Sequence, residues 1–251
     1  MIHFVGAGCG AADLITVRGQ RLIEQADVII YAGSLVNPEL LQSAKQRCKI
    51  YNSAEMTLDE VIAVIQNAES ADKTTVRLHT GDPSIYGAVR EQMDRLDALG
   101  IPYDVCPGVS SFCGAAAALR AEYTLPEVSQ TVILTRLAGR TPVPESEQIP
   151  LLAAHHATMV IFLSASMLEM LSAQLIEGGY RPETPAAIVY KASWQDEIIC
   201  RCTVETLAET AQIHGIRKTA LITVGDFLGS SHALSKLYDP AFETEFRKAK
   251  R

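Results

Sequence analysis

Residues 2–10 read Ile-His-Phe-Val-Gly-Ala-Gly-Cys-Gly, a short apolar run that breaks on three alternating glycines. Such a run suits a strand buried in a parallel sheet, and the glycines after it let backbone come close to a ligand or to another segment. Two later stretches repeat the design. Residues 75–87, TVRLHTGDPSIYG, put a strand before the breaker Gly81-Asp82-Pro83, and residues 103–111, YDVCPGVSS, put one before Pro107-Gly108. Residues 27–31 (DVIIY) read as another strand. Helical spacing runs over 16–25 with Thr16 as N-cap, over 58–68, over 84–99 up to Gly100, and over 110–121. This alternation predicts a mainly parallel sheet with helices on both faces. In such sheets ligands bind beyond the carboxyl ends of the strands. The corners GAGCG, TGDPS and PGVSS are therefore expected to meet around one site.

Turn residues replace the periodic pattern over 122–129, so we divide the chain into an N-terminal domain, 1–122, and a C-terminal one, 123–251. In the second, strands are expected at 131–135, 158–163, 186–191, 197–202 and 219–224, with helices at 167–177 and 203–214. Residues 136–150 read as a loop rich in Pro, Arg and Gly, residues 192–196 as a connection, and the end from about 229 as a polar tail held loosely or in a short helix.

The composition narrows the class. A chain of 251 residues makes one large domain or two modest ones, and 48% hydrophobic with 20% charged residues is globular. A formal charge of −7 argues against a nucleic-acid partner but not against an anionic small molecule, which a local cluster of cations can hold. The six cysteines form no paired CxxC set and read as reduced thiols of a cytoplasmic protein. Cys200 and Cys202 alternate on a strand, where packing outweighs a metal site because no His or carboxylate pattern completes one. The start lacks a signal-peptide pattern, and no apolar run approaches the ~18 residues of a membrane span.

Each motif has a plain reading beside a functional one. GAGCG departs from the G-x-G-x-x-G dinucleotide fingerprint, and the acidic residue some twenty places on, Asp27, opens its strand instead of ending it. A tight turn or a different nucleotide-like ligand remains. Asp82 either caps the helix after it or holds a ribose or cationic group. The small residues after Ser110-Ser111 serve close packing or a flat ligand. Arg136 and Arg140 lie in a proline-bearing loop suited to gripping carboxylates, Lys191 lies near the only tryptophan, Trp194, and Arg217-Lys218 precede the last strand. G-x-S-x-G, H-E-x-x-H and the P-loop pattern are all missing from the sequence.

Taken in order, GAGCGAADLIT, ADVIIYAGSLV, VRLHTGDPSIYGA, VCPGVSSFCGAAA, QTVILTRLAGRTPVPE, VYKASWQDE and GIRKTALI resemble the tetrapyrrole methylase family, over nearly the whole chain. The TRLAGRTPVPE and YKASWQDE blocks resemble the subgroup that methylates carbon 11 of precorrin-4 or cobalt-precorrin-4 in cobalamin biosynthesis. The resemblance implies an α/β fold of two αβα domains with a cofactor cleft between them, a homodimer, and S-adenosylmethionine as methyl donor. Carried over position by position, it implies cofactor contacts at Cys9, Thr80, Gly81, Asp82, Ile85, Ser110, Ser111, Leu163, Ala192, Val224 and Gly225. It leaves Asp82, or His79, as a candidate proton acceptor. Counter-charges for an anionic tetrapyrrole would come from Arg136, Arg140, Lys191, Arg217 and Lys218. Methylation of another ring carbon of a corrin or sirohaem precursor, or a nucleotide-sensing module without chemistry, are the competing readings. One block departs from the family: its loop usually reads GAGPGDPDLIT, whereas Cys9, Ala11 and Ala12 stand here.

Overall fold

A computed structural model of the chain describes residues 1–230 and 233–249. The chain separates into two compact units, one of Met1–Ala118 together with Lys191–Glu197, the other of Leu119–Tyr190 and the chain from Ile198 onward. A single cut near residue 122 assigns 191–197 to the second domain. The contacts give that connection to the first unit.

The first unit carries β1 (Ile2–Gly6), α1 (Val17–Gln25), β2 (Val28–Tyr31), β3 (Lys49–Asn52), α2 (Leu58–Glu69), β4 (Thr75–His79), α3 (Arg90–Leu99), β5 (Tyr103–Cys106) and the start of α4 (Ser111–Leu119). Its sheet, in the order β3-β2-β4-β1-β5, is parallel throughout. Side chains alternate across it, as the pleat requires. Val5, Ile29, Val76 and Leu78 pack with Ile23 of α1, while Ile2, Phe4, Val28 and Ile30 pack with Val61, Ile62 and Ile65 of α2 and Leu96 of α3. Thr16 caps α1 by accepting from the Gly19 N–H, as its position predicted, and Thr57 and Glu60 close a capping box on α2.

Two expectations fail here. The helix expected over 84–99 begins only at Arg90. Tyr86 and Ala88 take positive φ (53° and 48°), and a Cβ on Gly87 would lie 2.2 Å from the Pro83 carbonyl oxygen, so the chain turns tightly over Pro83 before any helix can start. The strand β3 was not foreseen. It is an edge strand, half exposed, with no apolar run to announce it.

The second unit continues with β6 (Val132–Arg136), α5 (Ile149–Ala153), β7 (Thr158–Phe162), α6 (Leu168–Glu177), β8 (Pro185–Tyr190), β9 (Ile198–Thr203), α7 (Leu207–Ile213) and β10 (Ala220–Val224). Its sheet runs β6-β7-β10-β8-β9. It is mixed, because β10 is antiparallel to both β7 and β8. Met159, Ile161, Ile188, Ile222 and Val224 face Ile149, Leu171, Leu175 and Leu207 of the helices, and Cys200 is part of this core. The helix α5 lies where only loop and its border were expected. Pro150 sits in its first turn, where the missing N–H costs nothing. Beyond β10 the described residues are mostly exposed. They include a 3-10 turn at Lys236–Tyr238, and the Arg247 guanidinium donates to the carbonyls of Leu237, Asp239 and Phe242.

Candidate functional site

The strands β4, β1 and β5 are neighbours in the sheet, so the corners after them leave from one edge. They touch. Gly8 and Gly81 exchange backbone hydrogen bonds at 2.9 and 3.3 Å, and the Ala7 N–H donates to the His79 carbonyl at 2.7 Å. A Cβ on Gly6 would stand 2.5 Å from the Gly108 Cα, and one on Gly108 would stand 2.2 Å from the Gly81 carbonyl oxygen. Glycine is required there by close approach. At Gly8 and Gly81 it is also favoured by φ values of 82° and 63°. The convergence expected of GAGCG, TGDPS and PGVSS is what the structure has.

Asp82 ties two of these corners together. One carboxylate oxygen accepts from the Ser84 N–H at 2.9 Å and from the Ser84 hydroxyl, and the other accepts from the Gly108 N–H at 2.8 Å. Partial burial works to raise its pKa, but the hydrogen bonds from Ser84 and Gly108 outweigh it, and the carboxyl is held below its ordinary value. A carboxylate so stabilised in its charged form, with both oxygens engaged, is a poor proton acceptor. The structure shows Asp82 as a brace of the corner. His79 fails for another reason. It is buried against Phe4, with ring centroids 6.0 Å apart, and burial, aided by the Arg77 charge, pushes its pKa down to about 3. It stays neutral inside the sheet layer.

Around the corner, Ser110 is buried, while Thr80, Ile85 and Ser111 are half-buried. The segment 191–197 completes the surround. Its Ser193 hydroxyl accepts from the Ala11 N–H at 3.0 Å and meets the Cys9 thiol at 3.4 Å. Trp194 covers Gly10 so closely that a Cβ there would be 2.3 Å from the indole. A Cβ on Gly114 of α4 would be 2.9 Å from the Cβ of Cys9 and 3.4 Å from that of Ala192, which brings Cys9, α4 and Ala192 together. Asn37, which no motif singled out, donates to the Gly10 carbonyl at 3.0 Å. Neither Asn37 nor Ser193 stands in a pattern that names its partner. The single tryptophan beside Lys191 was the only signal near them.

Lys191 does not offer an open charge. Its ammonium is 2.5 Å from the Asp196 carboxylate and lies over the Trp194 ring, 5.4 Å from the centroid. Arg136 is likewise engaged. Its guanidinium donates to the carbonyls of Leu137, Thr141 and Pro142 at 3.3, 3.1 and 2.6 Å, so it folds its own loop instead of standing ready for a carboxylate. Both side chains thus have partners within the protein.

The remaining expected residues belong to the second unit. Arg136 pairs in register with Phe162, and Ile222 with Ile161, so the ends of β6 and β7 and the start of β10 share one sheet edge. Leu163 is there, 64% exposed with a positive φ of 54°, flanked by the loop bearing Arg140 on one side and by Arg217-Lys218 on the other. Arg140, Arg217 and Lys218 are exposed. Val224 and Gly225 are not with them. Val224 pairs with Met159 and Ala186, at the far edge of the same sheet, because β10 runs against β7. No local spacing encodes that reversal, which places Val224 and Leu163 at opposite edges of the sheet.

Comparison with known proteins fits this picture. Residues 1–208 match the family described as Tetrapyrrole (Corrin/Porphyrin) Methylases. A cobalt-precorrin-4 C(11)-methyltransferase of Methanocaldococcus jannaschii is 56% identical over 249 residues, 99% of this chain and 96% of its own. The X-ray structure of a cobalt precorrin-4 methyltransferase, a cobalamin biosynthetic enzyme, superposes with a TM-score of 0.89 at 44% identity, covering 91% of this chain and 96% of that one. A uroporphyrin-III C-methyltransferase from Thermus thermophilus, complexed with S-adenosyl homocysteine, gives 0.75 at 25% identity, covering 91% and 93%.

Proposed function

The chain belongs to the tetrapyrrole (corrin/porphyrin) methylases, and we propose that it transfers a methyl group from S-adenosylmethionine to carbon 11 of a precorrin-4 macrocycle in cobalamin biosynthesis. The observation that carries the reading is the mutual closure of the three glycine corners at the carboxyl edge of β4, β1 and β5. Such an edge is where open α/β sheets take their ligands.

The corner fits a sulfonium nucleoside. Short hydroxyls at Thr80, Ser110 and Ser111 can hydrogen-bond a ribose, and the apolar Ile85 suits the face of a flat base. The nearby ammonium of Lys191 is neutralised by Asp196, so no uncompensated cation of that segment opposes a positive ligand. Cys9, Thr80, Gly81, Ile85, Ser110, Ser111 and Ala192 would hold it, and Asp82 contributes by bracing the corner. Bound there, S-adenosylmethionine supplies an electrophilic methyl group.

The protein's own part is orientation. Corners locked by backbone hydrogen bonds keep their geometry without rearranging at the moment of reaction, and holding reactants in near-attack positions is worth several kcal/mol. No protein base is required for attack by an electron-rich ring carbon. The carboxylates of the macrocycle are met by Arg140, Arg217 and Lys218, whose exposed side chains share one edge of the second sheet. The 56% relative favours the cobalt-bearing form of the substrate.

We extend the reading to a cytoplasmic homodimer. Support for the compartment comes from six cysteines that form no disulfide. No helix among the described residues is long and apolar enough to cross a membrane.

The test is incubation with methyl-labelled S-adenosylmethionine and precorrin-4, with and without cobalt. Label at carbon 11 is the expected result. Label at another carbon would move the chain to a different methylation step, and tight donor binding with no transfer to either macrocycle would favour the sensing module.

A further inference from the structure

We propose that Ser193 is a positioning residue of the donor site: its hydroxyl fixes the glycine loop after β1 against the segment that carries Ala192. The proposal rests on the reading of this corner as the S-adenosylmethionine site.

Segment 191–197 leaves β8 and returns to β9, yet it packs as part of the first unit. Its backbone is not relaxed. Lys191 and Ser193 have φ of 47° and 67°, a left-handed region that residues with a Cβ seldom take. Such conformations persist where their surroundings over-determine them, and they gather at ligand sites. Here the surroundings are explicit. The Ser193 N–H donates to a Glu197 carboxylate oxygen at 2.6 Å, the Trp194 N–H to the Lys191 carbonyl at 3.0 Å, and the Glu197 N–H to the Trp194 carbonyl at 3.1 Å. Trp194 and the Ala192 carbonyl fill the space where a side chain on Gly10 would be.

The segment therefore presents the Ser193 hydroxyl to the loop as a fixed group. Elsewhere the loop is bonded from Ala7 to His79, from Gly8 to Gly81 in both directions, and from the Gly10 carbonyl to Asn37. The Ala11 N–H donates to Ser193 Oγ. The same oxygen reaches the Cys9 thiol, so one hydroxyl touches the loop on both sides of Gly10. Removing it strands a part-buried N–H, and a stranded donor relaxes toward water. The loop would then move away from Ala192, and Cys9 with it.

A merely structural hydroxyl and a positioning one differ in what the variants do. Ser193→Gly suits a φ of 67° and removes only the hydroxymethyl group, so it keeps the segment's backbone and the folded state. Ser193→Ala loses the hydroxyl and keeps the backbone strain. Calorimetric binding of S-adenosylhomocysteine to the full chain is the first readout. Both variants should bind about tenfold more weakly than the parent, the loss expected for one buried hydrogen bond. The KM for S-adenosylmethionine should rise by a similar factor, while kcat at saturating donor stays within about twofold. Equal binding by the parent and Ser193→Gly would overturn the role of Ser193 and leave the donor site standing. A folded parent that bound no S-adenosylhomocysteine would overturn the donor site and this proposal with it.

Discussion

On the proposed reading, the glycine corner of the first unit and the cationic edge of the second are two ways of building a recognition surface. In the corner, the bracing polar groups have partners within the protein: Gly8 with Gly81, Asp82 with Ser84 and Gly108, Ala11 with Ser193. At the edge, Arg140, Arg217 and Lys218 project from loops into solvent. A pre-bonded corner gives precision, because its groups cannot drift. A solvated edge gives attraction and tolerance, because long cationic side chains can follow a large and variable anion. The corner should thus be sensitive to changes of one methyl group, and the edge to ionic strength.

The largest break in that contrast is Gly108→Ala. Its methyl must displace the Gly81 backbone, so the variant should lose about 3 kcal/mol in denaturant unfolding and fail to retain S-adenosylhomocysteine. Asp82→Asn comes next. An amide nitrogen would face N–H groups of Ser84 or Gly108, and at neutral pH the cost should be about 1–2 kcal/mol, discounted for partial exposure. Asp82 has a folded pKa below its unfolded one, so its contribution is complete above about pH 4 and fades as pH falls through the folded value. The gap between parent and variant, followed by urea unfolding from about pH 7 down to about pH 3, should therefore narrow in acid.

Arg136→Ala probes the join between the two designs, since this arginine is a cation used as a brace. About 1 kcal/mol of stability and faster proteolysis within 137–142 are expected, with S-adenosylhomocysteine affinity unchanged. Smallest in stability are the edge variants. Arg140→Ala, Arg217→Ala and Lys218→Ala should each stay within about 0.5 kcal/mol of the parent. Each should raise the KM for the macrocycle several-fold at low salt, and the effect should shrink above about 0.3 M salt as the charges are screened. A macrocycle KM that ignored both salt and these substitutions would remove the edge from substrate binding.

Much of the first unit was legible because its signals are local. Apolar runs ending in glycine or proline mark β1, β4 and β5, and Thr16 stands where a helix cap belongs. Parallel order comes from strand–helix alternation, so even the meeting of three corners could be foreseen. The misses were non-local or conformational. The turn at 84–89 looks helical in sequence, and only its positive φ values show that it is not. Arg136 and Lys191 read as ligands because charge is visible in sequence, whereas the carbonyls and the carboxylate that engage them are not.

By itself, then, the sequence determined the α/β class, the three corners and the family, since short-range apolar pattern and glycine placement suffice for those. That β10 runs against β7, which separates Val224 from Leu163, and that segment 191–197 belongs to the first unit emerged with the folded chain. Strand direction and the docking of a loop depend on contacts between residues far apart in the chain, and no local spacing encodes them.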